Sequence, residues 1–401
     1  MKHIESYNIK NQTKRNRIIG KIEGAKTEPT IVFFAGIHGN EKAGVYALQK
    51  VFKQLIKDHI KGTIYGVLGN LEAFDKNQRY IDEDLNRLWT KSQIDVLKTA
   101  KTLNTEQIQQ IELFNILKEI LKTHSGALYF IDLHTTSSKT LPFITINDAI
   151  INRKFSNLFP VPIVLGIEEY LNGPLLSYIN ELGYVSLGFE SGQHDESVSI
   201  QNSIAFINLA LVFTGLIKKE NSLNYSEHCN QLKKESKQNT TIFEVVYLHR
   251  IQAKHHFKML EGFKSFQNIK KGVLLAHNNS TKILSKHNGN IFMPLYQKQG
   301  NEGFFIIKPI KPFLLKLSEL LRRFNADNLL VVLPGITWFN KQKGVLYVNL
   351  KVARFLAKPI FHLFGYRNKQ TDATHIKMYN RERLSKIKLY KKEMWYKKAK
   401  N

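Results

Sequence analysis

The sequence predicts an α/β protein whose sheet is largely covered, followed by a smaller β-rich part. Short runs rich in Val, Ile, Phe and Tyr indicate strands, and apolar residues at three- and four-residue spacing indicate helices between them. Strands and helices that alternate in this way are typical of a layered α/β architecture. After residue 217, a polar stretch is followed by short apolar runs separated by glycines, which predict a mainly β part.

Four strands and three helices are predicted in the first part of the chain. The strand-like runs are residues 31–35, 63–68, 127–133 and 184–189. The helical patterns are residues 41–56, 108–121 and 197–217. In the first of these helices Val45, Leu48 and Phe52 recur on one face, so that face is expected to cover the sheet.

The chain is long enough for more than one domain, since 401 residues with 43% hydrophobic content can bury a large core. We expect an α/β domain over residues 1–217, a linker over 218–240, a β-rich domain over 241–310 and a basic C-terminal extension over 311–401. The linker prediction rests on a segment that is almost free of large apolar residues.

The charge is strongly positive, with a formal net value of +26. Residues 301–401 alone hold 22 basic and 6 acidic side chains. Such an excess suits an acidic partner, and it also simply keeps a tail solvated, so charge alone does not decide between the two.

Three absences restrict the class of protein. The single cysteine, Cys229, excludes an intrachain disulfide and a cysteine-based zinc cluster. The first sixteen residues hold no apolar segment of the kind that a secretory signal needs. No uninterrupted apolar run approaches the roughly 18 residues of a spanning helix. The sequence therefore predicts a soluble, cytoplasmic protein.

Two histidines and a glutamate follow predicted strands. His38 and Glu41 lie three residues apart in GIHGNEKAG, directly after the first strand, and His134 follows the third strand in FIDLHTTSS. Ligands of open α/β sheets bind beyond the carboxyl ends of strands, and this donor set suits a catalytic zinc that keeps its fourth position open. Asp132 is a candidate partner behind the ligands. Taken singly, each histidine is better explained as a polar residue of an ordinary loop.

Two further segments carry charged side chains that such a site would use. Arg79 and the pair Asn86 and Arg87 lie in NQRYIDEDLNRLW, where a guanidinium can grip a carboxylate with two bonds and an asparagine adds a directional donor. Glu190 ends the fourth predicted strand in YVSLGFESGQH. Beside a metal-activated water its carboxylate would transfer protons, whereas elsewhere it would be an ordinary exposed loop acid.

The motifs GIHGNEKAG, RYIDEDLNRLW, DLHT and GFESG, in this order, resemble those of the succinylglutamate desuccinylase/aspartoacylase family of zinc carboxypeptidase-like enzymes. The segments EVVYLHRI and GNIFMPLYQKQGNEGFFII are similar to the β-rich C-terminal part of that family. The resemblance implies a mixed-sheet α/β sandwich of zinc-carboxypeptidase type followed by a smaller β-rich domain. Residues beyond 310 have no counterpart in it.

The resemblance also implies roles for the site residues and one Zn²⁺ per chain. The implied roles are zinc ligands for His38, Glu41 and His134, general base and acid for Glu190, polarisation of the scissile carbonyl for Arg79, and binding of the substrate carboxylate for Asn86 and Arg87.

The resulting hypothesis is a zinc-dependent amidohydrolase, of deacylase or desuccinylase type, that cleaves the amide of N-acyl amino acids with a metal-activated water and Glu190 as general base. Two other classes stay open. A zinc metallopeptidase acting on small peptides would use the same site with a longer cleft. A non-catalytic basic binding protein would have no need of Glu190. The motifs predict neither the acyl group nor the amino acid.

The basic end of the chain, residues 377–401, holds 10 basic and 2 acidic side chains with Tyr390, Trp395 and Tyr396 among them. Interleaved aromatics suit stacking on nucleic-acid bases or seating at an anionic membrane surface. A solvated, partly helical tail explains the same pattern and is what we expect. Contact with nucleic acid or membrane through this end is the alternative.

Overall fold

The computed structural model describes residues 17–252, 256–353, 358–370 and 374–398. The expectation about a secretory signal concerns residues 1–16, which lie outside the described residues. Within the described ranges, no helix combines the length and the apolar character needed to cross a membrane.

The chain divides into two compact units, each made of several segments. Among the described residues, the first unit contains those within 1–142, 172–178 and 188–237, and the second contains those within 143–171, 179–187 and 238–401. Each unit combines segments that are distant in sequence. The domain boundaries expected at residues 217, 240 and 310 stay predictions.

Twelve α-helices are present in the described part of the chain. The longest, α4, begins with a capping box in which the side chains of Asn104 and Gln107 each accept a backbone N–H. The helices are α1 Ala43–Gln54, α2 Leu71–Asp75, α3 Lys91–Val96, α4 Thr105–Thr123, α5 Ile150–Ser156, α6 Leu175–Glu181, α7 Ser197–Phe213, α8 Tyr225–Glu235, α9 Pro312–Arg323, α10 Lys358–Leu363, α11 Ile387–Tyr390 and α12 Met394–Lys398.

Eighteen strands are present in the same described ranges. They are β1 Ile18–Glu23, β2 Thr30–Ala35, β3 Thr63–Leu68, β4 Leu128–Thr136, β5 Phe143–Ile146, β6 Ile163–Leu165, β7 Val185–Gln193, β8 Ile242–Arg250, β9 Phe257–Met259, β10 Asn268–Ile269, β11 Leu274–Asn278, β12 Thr281–Leu284, β13 Gly289–Phe292, β14 Glu302–Pro309, β15 Ile336–Asn340, β16 Val345–Asn349, β17 Tyr366–Gln370 and β18 His375–Asn380.

The sheet of the first unit has the strand order β1-β3-β2-β4, followed by the part of β7 from residue 188 onward. β1 runs antiparallel to β3, whereas β2 runs parallel to both β3 and β4, so the sheet is mixed. Every residue of β2 and β4 is buried, as expected for strands that are covered on both faces. The strands predicted from the apolar runs are confirmed.

Strands β4 and β7 extend further than predicted. They include residues 134–136 and 190–193, so His134 and Glu190 lie inside strands rather than just after them. Backbone pairing holds these extensions, and polar side chains do not prevent it. Just past β7, the N–H of His194 donates to the carbonyl oxygen of Thr136 over 3.0 Å.

Residues 218–240, expected to be a linker, are mostly helical, and those up to 237 belong to the first unit. Leu232 of α8 is fully buried, and Nε2 of Gln231 donates to Oδ1 of Asn202 in α7 over 2.9 Å. A short surface helix needs very few apolar contacts, and the composition of the segment therefore concealed it.

The second unit contains a mixed sheet in the order β5-β6-β8-β14-β13-β10 and a three-stranded antiparallel sheet of β9, β11 and β12. β5, β6 and β8 are parallel, and the pairs from β8 onward are antiparallel. The described residues of 241–310 contain seven strands and no helix, which confirms their predicted β character. Phenylalanines dominate one core of this sheet: Phe143, Phe243, Phe292 and Phe305.

The basic C-terminal region is folded, and the expectation of a solvated tail over residues 377–401 is wrong for its described part. β18 pairs with both β16 and β17, and Tyr390 is fully buried. The ring of Trp395 packs 5.3 Å from that of Phe155, centroid to centroid, within the second unit. Exposed lysines such as Lys391 alternate with these buried aromatics, and the high charge therefore masked an apolar pattern. Buried aromatics are not available to stack on bases.

Candidate metal centre

A tight turn after β2 positions His38 and Glu41. The N–H of Glu41 donates to the carbonyl oxygen of His38 over 3.1 Å. Gly39 lies against the backbone of Ala73, where an added Cβ would come within 2.0 Å of the carbonyl carbon, so only glycine fits. Because of this close approach the turn packs directly against α2, with the side chains of His38 and Glu41 buried.

Parallel pairing brings His134 to the same edge of the sheet. Ala35, the last residue of β2, lies opposite Leu133 of β4. The turn that carries His38 and the extension of β4 that carries His134 therefore meet, as the strand-end argument predicts.

The carboxylate of Glu41 lies between the two imidazoles. Its Oε1 atom is 2.7 Å from Nδ1 of His38, and its Oε2 atom is 2.9 Å from Nδ1 of His134. The backbone N–H of Thr135 also donates to Oε2, over 3.0 Å. His38, Glu41 and His134 are 4%, 2% and 9% exposed, so the three side chains form a buried cluster that we call the His-Glu-His cluster.

Each histidine of the His-Glu-His cluster has a second carboxylate on its other ring nitrogen. Oδ1 of Asp84 lies 3.1 Å from Nε2 of His38, and Oδ2 of Asp132 lies 2.7 Å from Nε2 of His134. Such partners fix the ring orientation and raise the basicity of the nitrogen that faces the centre. The Nδ1 atom of each histidine can thus bind a cation through its lone pair.

The charges in the cluster reinforce one another. Burial alone would raise the pKa of Glu41, but the charges of His38 and His134 hold that pKa well below its ordinary value. Burial alone would lower the pKa of His134, but the carboxylates of Asp132 and Glu41 raise that pKa well above its ordinary value. The cluster therefore stabilises positive charge at its centre.

Arg79 lies against the same cluster. Its Nη1 atom donates to Oε1 of Glu41 over 3.5 Å, and its Nη2 atom donates to Oδ2 of Asp84 over 3.0 Å. Burial would raise the pKa of Asp84, but the charges of Arg79, His38 and Arg87 keep it well below its ordinary value. Asp84 thus contacts both His38 and Arg79, a role that we did not predict, although it lies inside the motif that drew attention to Arg79.

Asn86 and Arg87 are connected to the cluster through Asp84. Asp84 caps the short 3₁₀ turn Leu85–Arg87 by accepting the N–H of Asn86 over 2.9 Å. Oδ1 of Asn86 accepts the N–H of Leu175 over 2.9 Å, which leaves its NH₂ group as the donor that the carboxylate-binding hypothesis requires. Nη1 of Arg87 donates to the carbonyl oxygen of Asn86 over 2.9 Å.

Glu190, on β7, is a buried acid of the same unit and is 8% exposed. Its Oε2 atom is buried without a hydrogen-bond partner among the described residues. Burial raises the pKa of Glu190 to about 8, and the charge of His134 opposes that rise. A buried carboxyl group that has one oxygen without a hydrogen-bond partner and a pKa near neutrality is typical of a residue that exchanges protons.

The donor set of the His-Glu-His cluster fits a zinc ion. Two imidazole nitrogens and one carboxylate are the ligands of many catalytic zinc sites, and one donor atom from each residue lies within 4.8 Å of the others. All three residues are buried and the histidines have carboxylate partners, as zinc ligands commonly do.

Comparison with known proteins shows a similarity to one family of enzymes. Residues 27–205 match the model of the succinylglutamate desuccinylase/aspartoacylase catalytic domain, and this range contains every site residue described above. This part of the chain is therefore similar to that catalytic domain. The resemblance drawn from the four motifs is thereby confirmed.

Curated proteins match the chain over a limited stretch. A succinylglutamate desuccinylase of Serratia proteamaculans is 31% identical over 111 residues, which cover 26% of this chain and 31% of the relative. A probable aspartoacylase of Acaryochloris marina is 31% identical over 123 residues, which cover 29% of this chain and 39% of the relative. The match thus spans about a third of the length of these relatives.

Solved structures extend the likeness in fold over most of the chain. The succinylglutamate desuccinylase/aspartoacylase of Rhodobacter sphaeroides has a TM-score of 0.54 at 15% identity, covering 73% of this chain and 88% of its own. The product-bound ectoine utilization protein of Ruegeria pomeroyi has a TM-score of 0.54 at 17% identity, covering 72% and 87%. The mixed α/β fold with a smaller β-rich region, expected from the sequence, is therefore confirmed.

Proposed function

We propose that the protein is a zinc-dependent amidohydrolase that cleaves N-acyl amino acids into a carboxylic acid and a free amino acid. The observation that carries the proposal is the buried His-Glu-His cluster with Glu190 in the same unit. The names of the relatives, succinylglutamate desuccinylase and probable aspartoacylase, support this class of reaction.

His38, Glu41 and His134 would hold one zinc ion per chain. When bound, zinc supplies a Lewis acid and makes a water molecule acidic enough to act near neutral pH. The carboxylates of Asp84 and Asp132 keep the two imidazoles in the orientation that this requires.

Glu190 would move the proton. Its buried carboxyl has one oxygen, Oε2, without a hydrogen-bond partner in the described structure. That oxygen can therefore accept a proton without first breaking a hydrogen bond. A cation nearby would lower the pKa of Glu190 below the value of about 8 that burial gives it. The ionised group would then accept a proton from the attacking water and deliver it to the leaving amine.

Arg79 would stabilise the negative charge that develops on the carbonyl oxygen of the scissile amide. Its guanidinium is held by Asp84 and Glu41, so it would need little reorganisation as the charge forms. Asn86 and Arg87 would bind the carboxylate next to the amide, through an amide donor and a planar cation.

The test is a hydrolysis screen over N-acetyl and N-succinyl amino acids, with detection of the free amine, alongside the matching carboxamides and a set of tripeptides. Zinc content is measured on the same preparation. We expect turnover of the acids and strong discrimination against the carboxamides, because a neutral amide leaves Arg87 without its anion. Turnover of tripeptides alone would favour a peptidase, and absence of both zinc and turnover would exclude the proposal.

Two variants separate the proposed roles of the arginines. Arg87→Ala should raise KM for the acids with a smaller effect on kcat, because carboxylate binding acts equally in the ground and transition states. Arg79→Ala should lower kcat more than it raises KM. The same pattern in both variants would mean that the two residues share one role.

A further inference from the structure

Helix α9 of the second unit buries two polar side chains and exposes an apolar face. Ser318 and Arg322 are only 2% and 7% exposed. Large apolar residues on the opposite side are 38% to 70% exposed and recur at helical spacing; we call them the α9 apolar face: Phe313, Leu317, Leu320 and Phe324. A helix that covers a protein core has the reverse arrangement.

Buried polar contacts fix this orientation. Nη2 of Arg322 donates to Oδ2 of Asp148 over 2.8 Å, and its Nη1 atom donates to Oε1 of Glu382 over 3.1 Å. Oγ of Ser318 donates to the carbonyl oxygen of Leu363 over 2.9 Å. Rotating α9 to bury its apolar face would break these contacts and remove Arg322 from the buried carboxylate of Asp148, which is unfavourable. The α9 apolar face therefore stays exposed to solvent.

The exposed apolar surface continues after the helix. Leu329 and Val332, in the 3₁₀ segment Ala326–Val332, are 67% and 80% exposed. Clusters of exposed large apolar side chains mark interaction sites, because water-soluble surfaces rarely carry them without a function.

Exposed basic residues flank the α9 apolar face. Lys316 and Arg323 are exposed and lie three or four residues from members of the face, so they project next to it on the helix. Lys308 and Lys311 are exposed just before the helix. The one acidic residue of the helix, Glu319, is paired with Lys154 over 2.8 Å. The surroundings of the face are thus positively charged.

We propose that the α9 apolar face and the basic residues beside it bind the surface of an anionic lipid bilayer, with the helix lying parallel to it. Helices of this kind insert their apolar side chains roughly 5–10 Å into the boundary between headgroups and acyl chains, while lysine and arginine contact anionic headgroups. A second copy of the chain suits the surface poorly, because two chains of net charge +26 would bring the same basic residues together.

Flotation of the full chain with vesicles tests the proposal. Vesicles of dioleoylphosphatidylcholine alone are compared with vesicles that contain roughly a third dioleoylphosphatidylglycerol. We expect the protein to float with the anionic vesicles and to bind them with at least about tenfold higher affinity than the neutral ones. Salt at about 0.5 M should weaken this binding.

Matched variants separate the local surface from general charge and stickiness. Phe313→Ser with Leu320→Ser should abolish flotation, whereas Leu223→Ser with Met394→Ser, at exposed apolar residues elsewhere, should not. Lys316→Gln with Arg323→Gln should weaken binding more than Lys391→Gln with Lys392→Gln, although both pairs remove the same charge. All eight substituted residues are exposed. The four double variants should therefore unfold at the same temperature as the wild type, and a thermal unfolding measurement checks that each is folded.

Three results would overturn the proposal. One is equal flotation with neutral and anionic vesicles. Another is equal loss of flotation in both basic-pair variants, which would indicate general charge attraction. The third is a dimer of the wild type in sedimentation velocity that Phe313→Ser with Leu320→Ser converts to a monomer, which would assign the α9 apolar face to a second copy.

Discussion

The carboxylate of Asp84 lies 3.1 Å from Nε2 of His38, and its other oxygen accepts a bond from Arg79 over 3.0 Å. One side chain thus orients a proposed zinc ligand and the arginine proposed to stabilise the oxyanion. We predict that Asp84→Asn lowers zinc affinity by roughly 10- to 100-fold, because partners of metal-bound histidines commonly contribute that much. Titration against a chelator of known affinity measures it.

Asp82→Asn is the matched control for Asp84→Asn. It removes the same charge from the same segment, but Asp82 is exposed and accepts the N–H of Thr105 over 2.8 Å. Its zinc affinity should equal that of the wild type. If Asp84→Asn also bound zinc normally, the contact with His38 would have no part in holding the ligand.

Glu190→Gln should retain zinc and lose turnover. Glu190 is outside the His-Glu-His cluster, so its amide leaves the three ligands in place. Loss of a general base commonly reduces the rate by on the order of 10² to 10⁴. Elemental analysis and kcat measured on one preparation check both parts. Near-normal kcat would assign proton transfer to another residue.

The raised pKa of Glu190 predicts a specific pH dependence for the metal-free protein. The pKa of Glu190 is about 8 in the folded protein and has an ordinary value of 4.5. Below about pH 4.5 the group is protonated in both the folded and the unfolded state, so the free energy of unfolding is unaffected. Between about pH 4.5 and pH 8 the unfolded chain ionises first, so the free energy of unfolding falls as the pH rises. At about 1.4 kcal/mol per pKa unit, the loss is on the order of 3 to 5 kcal/mol.

Urea unfolding of the metal-free wild type and Glu190→Gln, between about pH 5 and pH 8.5, measures this effect. The free energy of unfolding of the wild type should fall relative to that of the variant as the pH rises. Any fixed cost of the glutamine is the same at every pH, so only the slope matters. Parallel curves would show that Glu190 has an ordinary pKa in the folded protein.

Tyr390→Phe tests whether the C-terminal region is part of the fold. The hydroxyl of Tyr390, a fully buried residue, accepts the N–H of Val185 over 2.9 Å. Phenylalanine leaves that N–H buried without a partner, at a cost of about 1–3 kcal/mol. Denaturant unfolding should show the loss, and Tyr46→Phe, at a tyrosine that is 43% exposed, should stay within about 0.5 kcal/mol of the wild type.

Local patterns in the sequence point to individual candidate residues better than to the contacts around them. His38 and Glu41 were found because their spacing and the preceding apolar strand are contiguous in sequence. The contact between Asp84 and His38 could not be predicted from such a pattern, because it joins residues 46 apart in sequence and depends on how the segment after β3 folds back. The same limit applies to Tyr390, whose partner lies 205 residues away and whose lysine neighbours dominate the composition.

The separation of Val185 and Tyr390 along the chain also affects how the protein folds while it is being synthesised. A ribosome that adds about 5–20 residues per second needs roughly 10–40 s to make the 205 residues that separate the two partners. Throughout that time the nascent second unit lacks the side chains that cover Val185 and Phe155. These apolar surfaces are then open to chaperones and to neighbouring nascent chains, so translation speed over this stretch should influence how much protein reaches the folded state.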